Sequence, residues 1–326
     1  MPSTELVVET NHLTKRFGDF VAVKDFNLEV TSGSVVSLLG PNGAGKTTIV
    51  RMLATLIEPT SGTATVCGHD VVKHSDAVRS VLSLTGQFAA LEDNLTAKEN
   101  LVLMARLRGY GKRAAEAVTN NLIERFDMVE FRDKLVKSVS GGQRRRIDLA
   151  ASLVVQPQIL ILDEPTTGLD PRSRQVVWTT IRELVASGVT LFLTTQYLEE
   201  ADALADHIVL LDHGRAIAAG TANDLKSEIG DQRVDVIAST ATGLDRLIAA
   251  LNSSFELTIA SGQRMISIPA PHDVDDLAAV ARAVSVVDVE IDEIALRRPT
   301  LDDAFLALTG QVPLDEQNKD LEESLS

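Results

Sequence analysis

The apolar run Val35–Leu39 leads directly into Gly40-Pro41-Asn42-Gly43-Ala44-Gly45-Lys46-Thr47, and a helical stretch, Thr48–Leu56, follows at once. Strand, glycine-rich loop, then helix is the setting a phosphate-binding loop requires, and it constrains the fold more than any other segment. The glycines let backbone N–H groups turn inward around an anion with no Cβ in the way. The helix start adds about half a positive charge aimed at the same place. Lys46 is expected to reach β- and γ-phosphates, and the Thr47 hydroxyl to ligate Mg²⁺.

A second apolar run, Ile159–Leu162, ends in adjacent carboxylates, Asp163 and Glu164. Side chains alternate along a strand, but at its exit two neighbours can diverge, one toward a metal and one toward an attacking water. Asp163 is expected to hold Mg²⁺ and Glu164 to orient and deprotonate the water, a general base contributing about 10²–10⁴-fold in rate. An acidic pair after a strand is weak by itself. It gains force from a phosphate loop 117 positions earlier (163 − 46).

Between these motifs, Ser140-Gly141-Gly142-Gln143 precedes an apolar helix face running through Ile147, Leu149, Ala150 and Leu153. Ser140 is a good helix cap. The two glycines exceed what capping needs and cost helix stability, which makes sense where backbone must approach something closely, such as a phosphate.

The alternation of short strands, including Val189–Thr194 and His207–Leu211, with helices predicts an α/β sheet covered by helices over about 5–220. A mostly helical insertion occupies about 88–155. In it, Thr96-Ala97-Lys98-Glu99 reads as a capping box that opens a helix through Leu101, Leu103, Met104 and Leu107. From 221 to 310 the order becomes β-α-β-β-α-β-like, a small α+β domain. Its strands are read at Val234–Ala238, Glu256–Ala260, Met265–Pro269 and Val286–Ile291, and its helices at Leu244–Leu251 and Val274–Val284. A last amphipathic helix, Leu301–Leu308, presents Leu301, Phe305 and Leu308 on one face. The segment 311–326 has five acidic residues against Lys319 alone and reads as a disordered tail.

Composition excludes several function classes. A net charge of −15 argues against broad attraction to nucleic acid or an anionic membrane surface. Cys67 is the single cysteine, so no intrachain disulfide can form. No run of 18 apolar residues occurs and the first residues do not read as a signal peptide, so a cytoplasmic protein is expected.

Taken in order, the phosphate loop, Ser-Gly-Gly-Gln-Arg and Leu-Ile-Leu-Asp-Glu-Pro-Thr-Thr-Gly-Leu-Asp resemble the ABC ATPases, a branch of the P-loop NTPase fold, over about 5–220. The resemblance implies that ATP and Mg²⁺ are bound by Gly40, Pro41, Asn42, Gly43, Ala44, Gly45, Lys46, Thr47 and Thr48. It further implies that Phe17 stacks on adenine, that Gln87 touches the metal, and that Asp170 lies on a loop crossing to a second subunit. Ser140, Gly141, Gly142 and Gln143 would complete the ATP site of the partner in a head-to-tail homodimer. Gln196, in Thr194-Thr195-Gln196-Tyr197, stands where the family usually has a histidine facing the γ-phosphate. An amide can donate there but cannot become cationic.

Three longer segments narrow the resemblance to the daunorubicin-resistance type of ABC ATP-binding protein: 144–158 (RRRIDLAASLVVQPQ), 194–206 (TTQYLEEADALAD) and 296–310 (LRRPTLDDAFLALTG). That group implies a drug, antibiotic or lipid exporter whose membrane-spanning permease is a separate chain, the ATPase lying on the cytoplasmic face of the cell membrane. An ABC ATPase with a soluble role, or a P-loop kinase of a small substrate, stays open from the sequence. A two-cassette translation factor would carry a second phosphate loop, and a DNA-maintenance protein long heptad segments; neither is present.

Overall fold

The computed structural model describes residues 5–85, 91–227, 232–259 and 264–309, which fall into two compact units divided between Ala222 and Asn223. The first opens with long antiparallel strands β1 (Leu6–Phe17) and β2 (Phe20–Thr31), then β3 (Val35–Leu39), α1 (Lys46–Leu53), β4 (Ser61–Val66), β5 (His69–Asp70), α2 (Ser75–Val81) and β6 (Leu82–Thr85). Three helices follow, α3 (Ala97–Leu107), α4 (Lys112–Arg125) and α5 (Gly141–Ser152). The unit closes with β7 (Ile159–Asp163), α6 (Pro171–Ala186), β8 (Thr190–Thr195), α7 (Leu198–Leu204), β9 (His207–Asp212) and β10 (Arg215–Gly220).

Two sheets result. One is antiparallel, in the order β2-β1-β4-β5; the other runs β10-β9-β3-β8-β7-β6, parallel except for its antiparallel edge strand β10. Every residue of β3, β7 and β8 is buried, as expected of central parallel strands covered on both faces. Register decides where chemistry can occur. Leu39 pairs with Thr195 and Asp163 with Thr194, so β3, β7 and β8 end side by side. Their loops therefore share one carboxyl edge of the sheet, the usual place for ligands in such folds.

The helical insertion has the expected start. The Thr96 hydroxyl accepts from the Glu99 N–H at 3.1 Å, and the Glu99 carboxylate accepts from the Thr96 N–H at 2.8 Å. Leu101, Ala105, Leu122, Ile123, Ile147 and Leu149 form the buried faces of α3, α4 and α5.

The second unit contains α8 (Ala222–Ser227, beginning at the boundary), β11 (Arg233–Ala238), α9 (Ala241–Leu251), β12 (Thr258–Ile259), β13 (Met265–Pro269), α10 (Val274–Ser285), β14 (Ile291–Arg297) and α11 (Leu301–Thr309). The sheet order β12-β13-β11-β14, antiparallel throughout, is a split β-α-β arrangement. Its core is built from Val234, Val236, Leu247, Leu251, Ile266, Ile268 and Val280.

Three expectations need correction. The strand read at Val286–Ile291 begins instead at Ile291: α10 extends to Ser285, Val286 is 84% exposed, and Val287 and Val289 pack singly against the core before the ladder to β11 begins. The strand read at Glu256–Ala260 shrinks to Thr258–Ile259, with Ala260 outside the described residues. On α11, Leu301, Ala304 and Phe305 are buried while Leu308 is exposed, since the buried stripe ends one turn before the helix does. The segment 311–326 and Gln87 lie outside the described residues.

Candidate active site

The phosphate loop is held by close backbone packing. Gly45 has φ 107°, and a Cβ there would lie 2.7 Å from the Ala22 carbonyl oxygen, so glycine is required on two counts. The loop walls a cavity of about 250 Å³ lined by Pro41, Asn42, Gly43, Ala44, Gly45, Lys46, Thr47 and Thr48, together with Phe20, Ala22 and Glu164. Gly40 sits beneath it, where an added Cβ would meet the Leu211 carbonyl oxygen at 2.3 Å.

Lys46 is the buried cation of the site. Its ammonium donates to the carbonyl oxygens of Gly40 at 2.6 Å and Pro41 at 3.1 Å and lies 3.6 Å from Glu164 Oε1. Burial pushes the lysine below its usual range, and the Glu164 and Asp163 carboxylates oppose that push. The Thr47 hydroxyl donates toward Asp163 Oδ1 at 3.4 Å, and Thr194 Oγ1 donates to the same oxygen at 2.5 Å.

Glu164 takes an unusual backbone conformation, φ 49°, for a residue that is not glycine. Its N–H is held by both oxygens of Thr194, the carbonyl at 3.0 Å and the hydroxyl at 3.1 Å, and Thr167 Oγ1 donates to Glu164 Oε2 at 3.2 Å. This is how the carboxylate leaves the strand direction and turns toward the cavity. Thr194 was not singled out from the sequence. Its signal was register: whichever residue pairs with the final strand acid of β7 must lie beside it.

Phe17 does not line the cavity. It is half exposed at the end of β1, with Lys15 Nζ 5.0 Å from its ring centroid; Phe20, three residues on and opposite it across the hairpin, lines the cavity instead. As directly opposed partners the two rings share one face of the hairpin, and Phe20 is the more exposed, 65% against 50%.

Ser140 and Gln143 cap α5 reciprocally: the Gln143 N–H donates to Ser140 Oγ at 3.2 Å, and the Ser140 N–H donates to Gln143 Oε1 at 3.0 Å. Gly142 packs on Ser173 of α6, whereas Gly141 has only a Leu169 methyl near its Cβ position, at 3.7 Å. None of Ser140, Gly141, Gly142 or Gln143 lines the phosphate-loop cavity. Asp170 caps α6, accepting from the Ser173 N–H at 2.9 Å and the Ser173 hydroxyl at 2.6 Å. Gln196 follows the end of β8, and its buried Oε1 has no hydrogen-bond partner among the described residues. One chain thus brings Lys46, Thr47, Asp163 and Glu164 together, while of the Ser140–Gln143 tip Gly141 alone shares a cavity with one of them, a second cavity that Glu164 also lines.

This geometry can be set against known proteins. Residues 23–167 match the family described as ABC transporter. The chain is 49% identical to the daunorubicin resistance ATP-binding protein DrrA3 of Streptomyces coeruleorubidus, over 91% of this chain and 93% of that one. This chain belongs to the ABC transporter ATP-binding family. The doxorubicin resistance ATP-binding protein DrrA of Mycobacterium tuberculosis is 45% identical, with 95% of each chain covered. Among solved structures, the fold of this ABC protein matches the dimeric post-hydrolysis state of the ATP-binding cassette MJ0796 bound to ADP and Pi. The TM-score is 0.60 at 24% identity, covering 66% of this chain and 98% of that one. The family makes the protein an ATP-binding, ATP-hydrolysing transporter subunit. Among its described residues no helix is long and apolar enough to cross a membrane.

Proposed function

We propose that two copies of this chain close head to tail around two ATP molecules and so drive a membrane-spanning permease on a separate chain, at the cytoplasmic face of a drug-type exporter. The observation that carries this reading is the division of the site within one chain. Lys46, Thr47 and Glu164 line one cavity, Asp163 accepts from the Thr47 hydroxyl, and the capped tip of α5 does not line that cavity. A two-fold arrangement supplies the tip of one copy to the cavity of the other. The dimeric state of the MJ0796 cassette supports that arrangement.

The residues suit Mg²⁺ as well. Thr47 offers a hydroxyl 3.4 Å from an Asp163 carboxylate oxygen that Thr194 holds in place, two oxygen donors of the kind a hard cation takes. Among the described residues no cluster of three or more His, Cys, Asp or Glu could hold a metal, which fits an ion held largely by phosphate oxygens and water. Bound there, Mg²⁺ would supply positive charge to the β- and γ-phosphate oxygens.

Lys46 exchanges the Gly40 and Pro41 carbonyls for phosphate oxygens. Glu164 accepts a proton from the attacking water, and Gln196 contacts the γ-phosphate and that water. Ser140 and Gln143 of the second copy, with the N-terminus of its α5, meet the γ-phosphate from the other side. Loss of phosphate removes the charge that both helix starts favour, and the copies part. The likeness to daunorubicin and doxorubicin resistance proteins supports a cargo of that drug class.

Replacing Glu164 by Gln keeps the shape of the site and removes the base. Size-exclusion chromatography of that variant with saturating ATP should give a dimer, and a monomer there would count heavily against the shared site. Cells expressing the chain with its permease should accumulate less daunorubicin than cells carrying the Lys46→Ala variant; equal accumulation would remove the drug assignment.

A further inference from the structure

Glu200 is fully buried on α7 and lines no part of the phosphate-loop cavity, yet it touches the segments that carry three site residues. Its Oε1 accepts from Thr166 Oγ1 at 2.8 Å and from Trp178 Nε1 at 3.0 Å. Thr166 lies two residues after Glu164 and four before Asp170. Trp178 belongs to α6, the helix that Asp170 caps. Burial pushes the Glu200 carboxyl above its usual range, and hydrogen bonds from Thr195, Thr166 and Trp178 work against that push. Thr195 is the residue before Gln196, and its Oγ1 accepts from the Tyr197 N–H at 3.0 Å, which folds the chain around Gln196.

We infer that Glu200 is a positioning residue for ATP hydrolysis, tying the Glu164 loop, the Asp170-capped helix and the Gln196 turn into one rigid block. This rests on the roles proposed above for Glu164 and Gln196. The physical argument is local. Thr166 and Trp178 are buried donors whose acceptor is this carboxylate, so removing it leaves both unsatisfied and frees the loop to shift. A displacement of about 1 Å in reacting groups costs on the order of 10²-fold in rate. Lys46 and Thr47 sit on a separate element, the first turn of α1, so ATP binding in the ground state is spared.

The test uses the full-length chain with Mg-ATP, and Trp178, the only tryptophan in the sequence, reports on the block by its emission. Glu200→Leu should lower kcat about tenfold or more, leave KM for ATP within about threefold, and shift Trp178 emission even before nucleotide is added. Glu200→Gln, which can still accept from both donors, should restore kcat to within about threefold of the parent. Thr166→Val removes only the donor on the Glu164 loop and carries the same expectation for kcat, which guards against Glu200→Leu failing to fold. Parental kcat in both Glu200→Leu and Thr166→Val, or a kcat loss matched by an equal rise in KM, would overturn the inference. Glu164→Gln run alongside separates the two readings. Parental hydrolysis there sinks the role given to Glu164, whereas loss there with parental Glu200→Leu and Thr166→Val sinks the positioning role alone.

Discussion

The Cβ that Gly142 lacks would lie 2.4 Å from the Ser173 hydroxyl oxygen and 2.7 Å from the Ser173 Cβ. A hydroxyl can rotate away, but a Cβ can move only with its helix. Gly142 is therefore fixed by the packing of α5 on α6, while Gly141 meets only a Leu169 methyl at 3.7 Å and is the glycine that the proposed shared site leaves facing the phosphate. Gly142→Ala should destabilise the chain by about 1–3 kcal/mol, as overpacking does, and Ser173→Gly in the same chain should recover most of it. Gly141→Ala should leave the urea midpoint unchanged and lower ATPase activity. Equal unfolding midpoints for Gly142→Ala and the parent would show that the two helices are not in this contact.

Phe20 and Phe17 predict different kinetics. Phe20 lines the cavity and Phe17 does not. An adenine stacked on an aromatic ring gains about 1–3 kcal/mol. Phe20→Ala should raise KM for ATP by about tenfold or more, and Phe17→Ala by less than about threefold. The reverse order in a steady-state ATPase assay would place the adenine on Phe17.

Lys46 is a buried cation held between two carbonyls and one carboxylate. Lys46→Ala removes the positive charge and leaves the Glu164 carboxylate, 7% exposed, without that partner. Hydrolysis should fall by about a hundredfold or more and ATP binding should weaken, read by equilibrium titration with a fluorescent ATP analogue. Parental binding and turnover would remove the phosphate loop from the reaction.

The sheet, the phosphate loop and the caps were legible because each is written in consecutive residues. Val35–Thr48 contains its own strand, turn and helix start, and Thr96 through Glu99 contains both partners of a capping box. Thr194, Phe20 and Glu200 were not legible for the opposite reason. Thr194 acts through register with Asp163 on another strand, Phe20 through a cavity it shares with residues 41–48, and Glu200 through donors 34 and 22 residues away. Val286–Ile291 misled because its β-branched residues match a strand pattern, whereas Val287 and Val289 are used to close the core beneath a helix end. Local pattern fixes element type well, and partner choice between elements poorly.

Asp148 gives a pH dependence with a definite sign. Burial raises its carboxyl from the usual value to about 6, although Arg145 donates to it at 2.8 Å and opposes the shift. The folded state therefore binds this proton more tightly than the unfolded chain. The contribution to stability is full below about pH 4 and is lost as pH rises through about 6. Asp148→Asn cannot titrate, yet its amide oxygen can still accept from Arg145. Whatever its offset, its stability relative to the parent should rise by roughly 1 kcal/mol between pH 5 and pH 7, read from urea midpoints at the two values. A constant difference would place the Asp148 carboxyl in its ordinary range.

Gln196 combines a stability cost with a proposed chemical role. Its Oε1 is buried without a hydrogen-bond donor among the described residues, and an unmatched buried acceptor costs about 1–3 kcal/mol. In the reaction proposed above, this oxygen would accept from the attacking water while the amide N–H₂ donates to the γ-phosphate. Gln196→Leu should therefore stabilise the folded chain by about 1 kcal/mol while lowering hydrolysis, and Gln196→Ala should also fall more than twofold below the parent. Gln196→His would introduce a group that titrates near neutrality, so its ATPase profile should gain an acid limb that the parent lacks. An alanine variant within twofold of the parent, or a histidine variant with an unchanged pH profile, would place Gln196 outside the reaction.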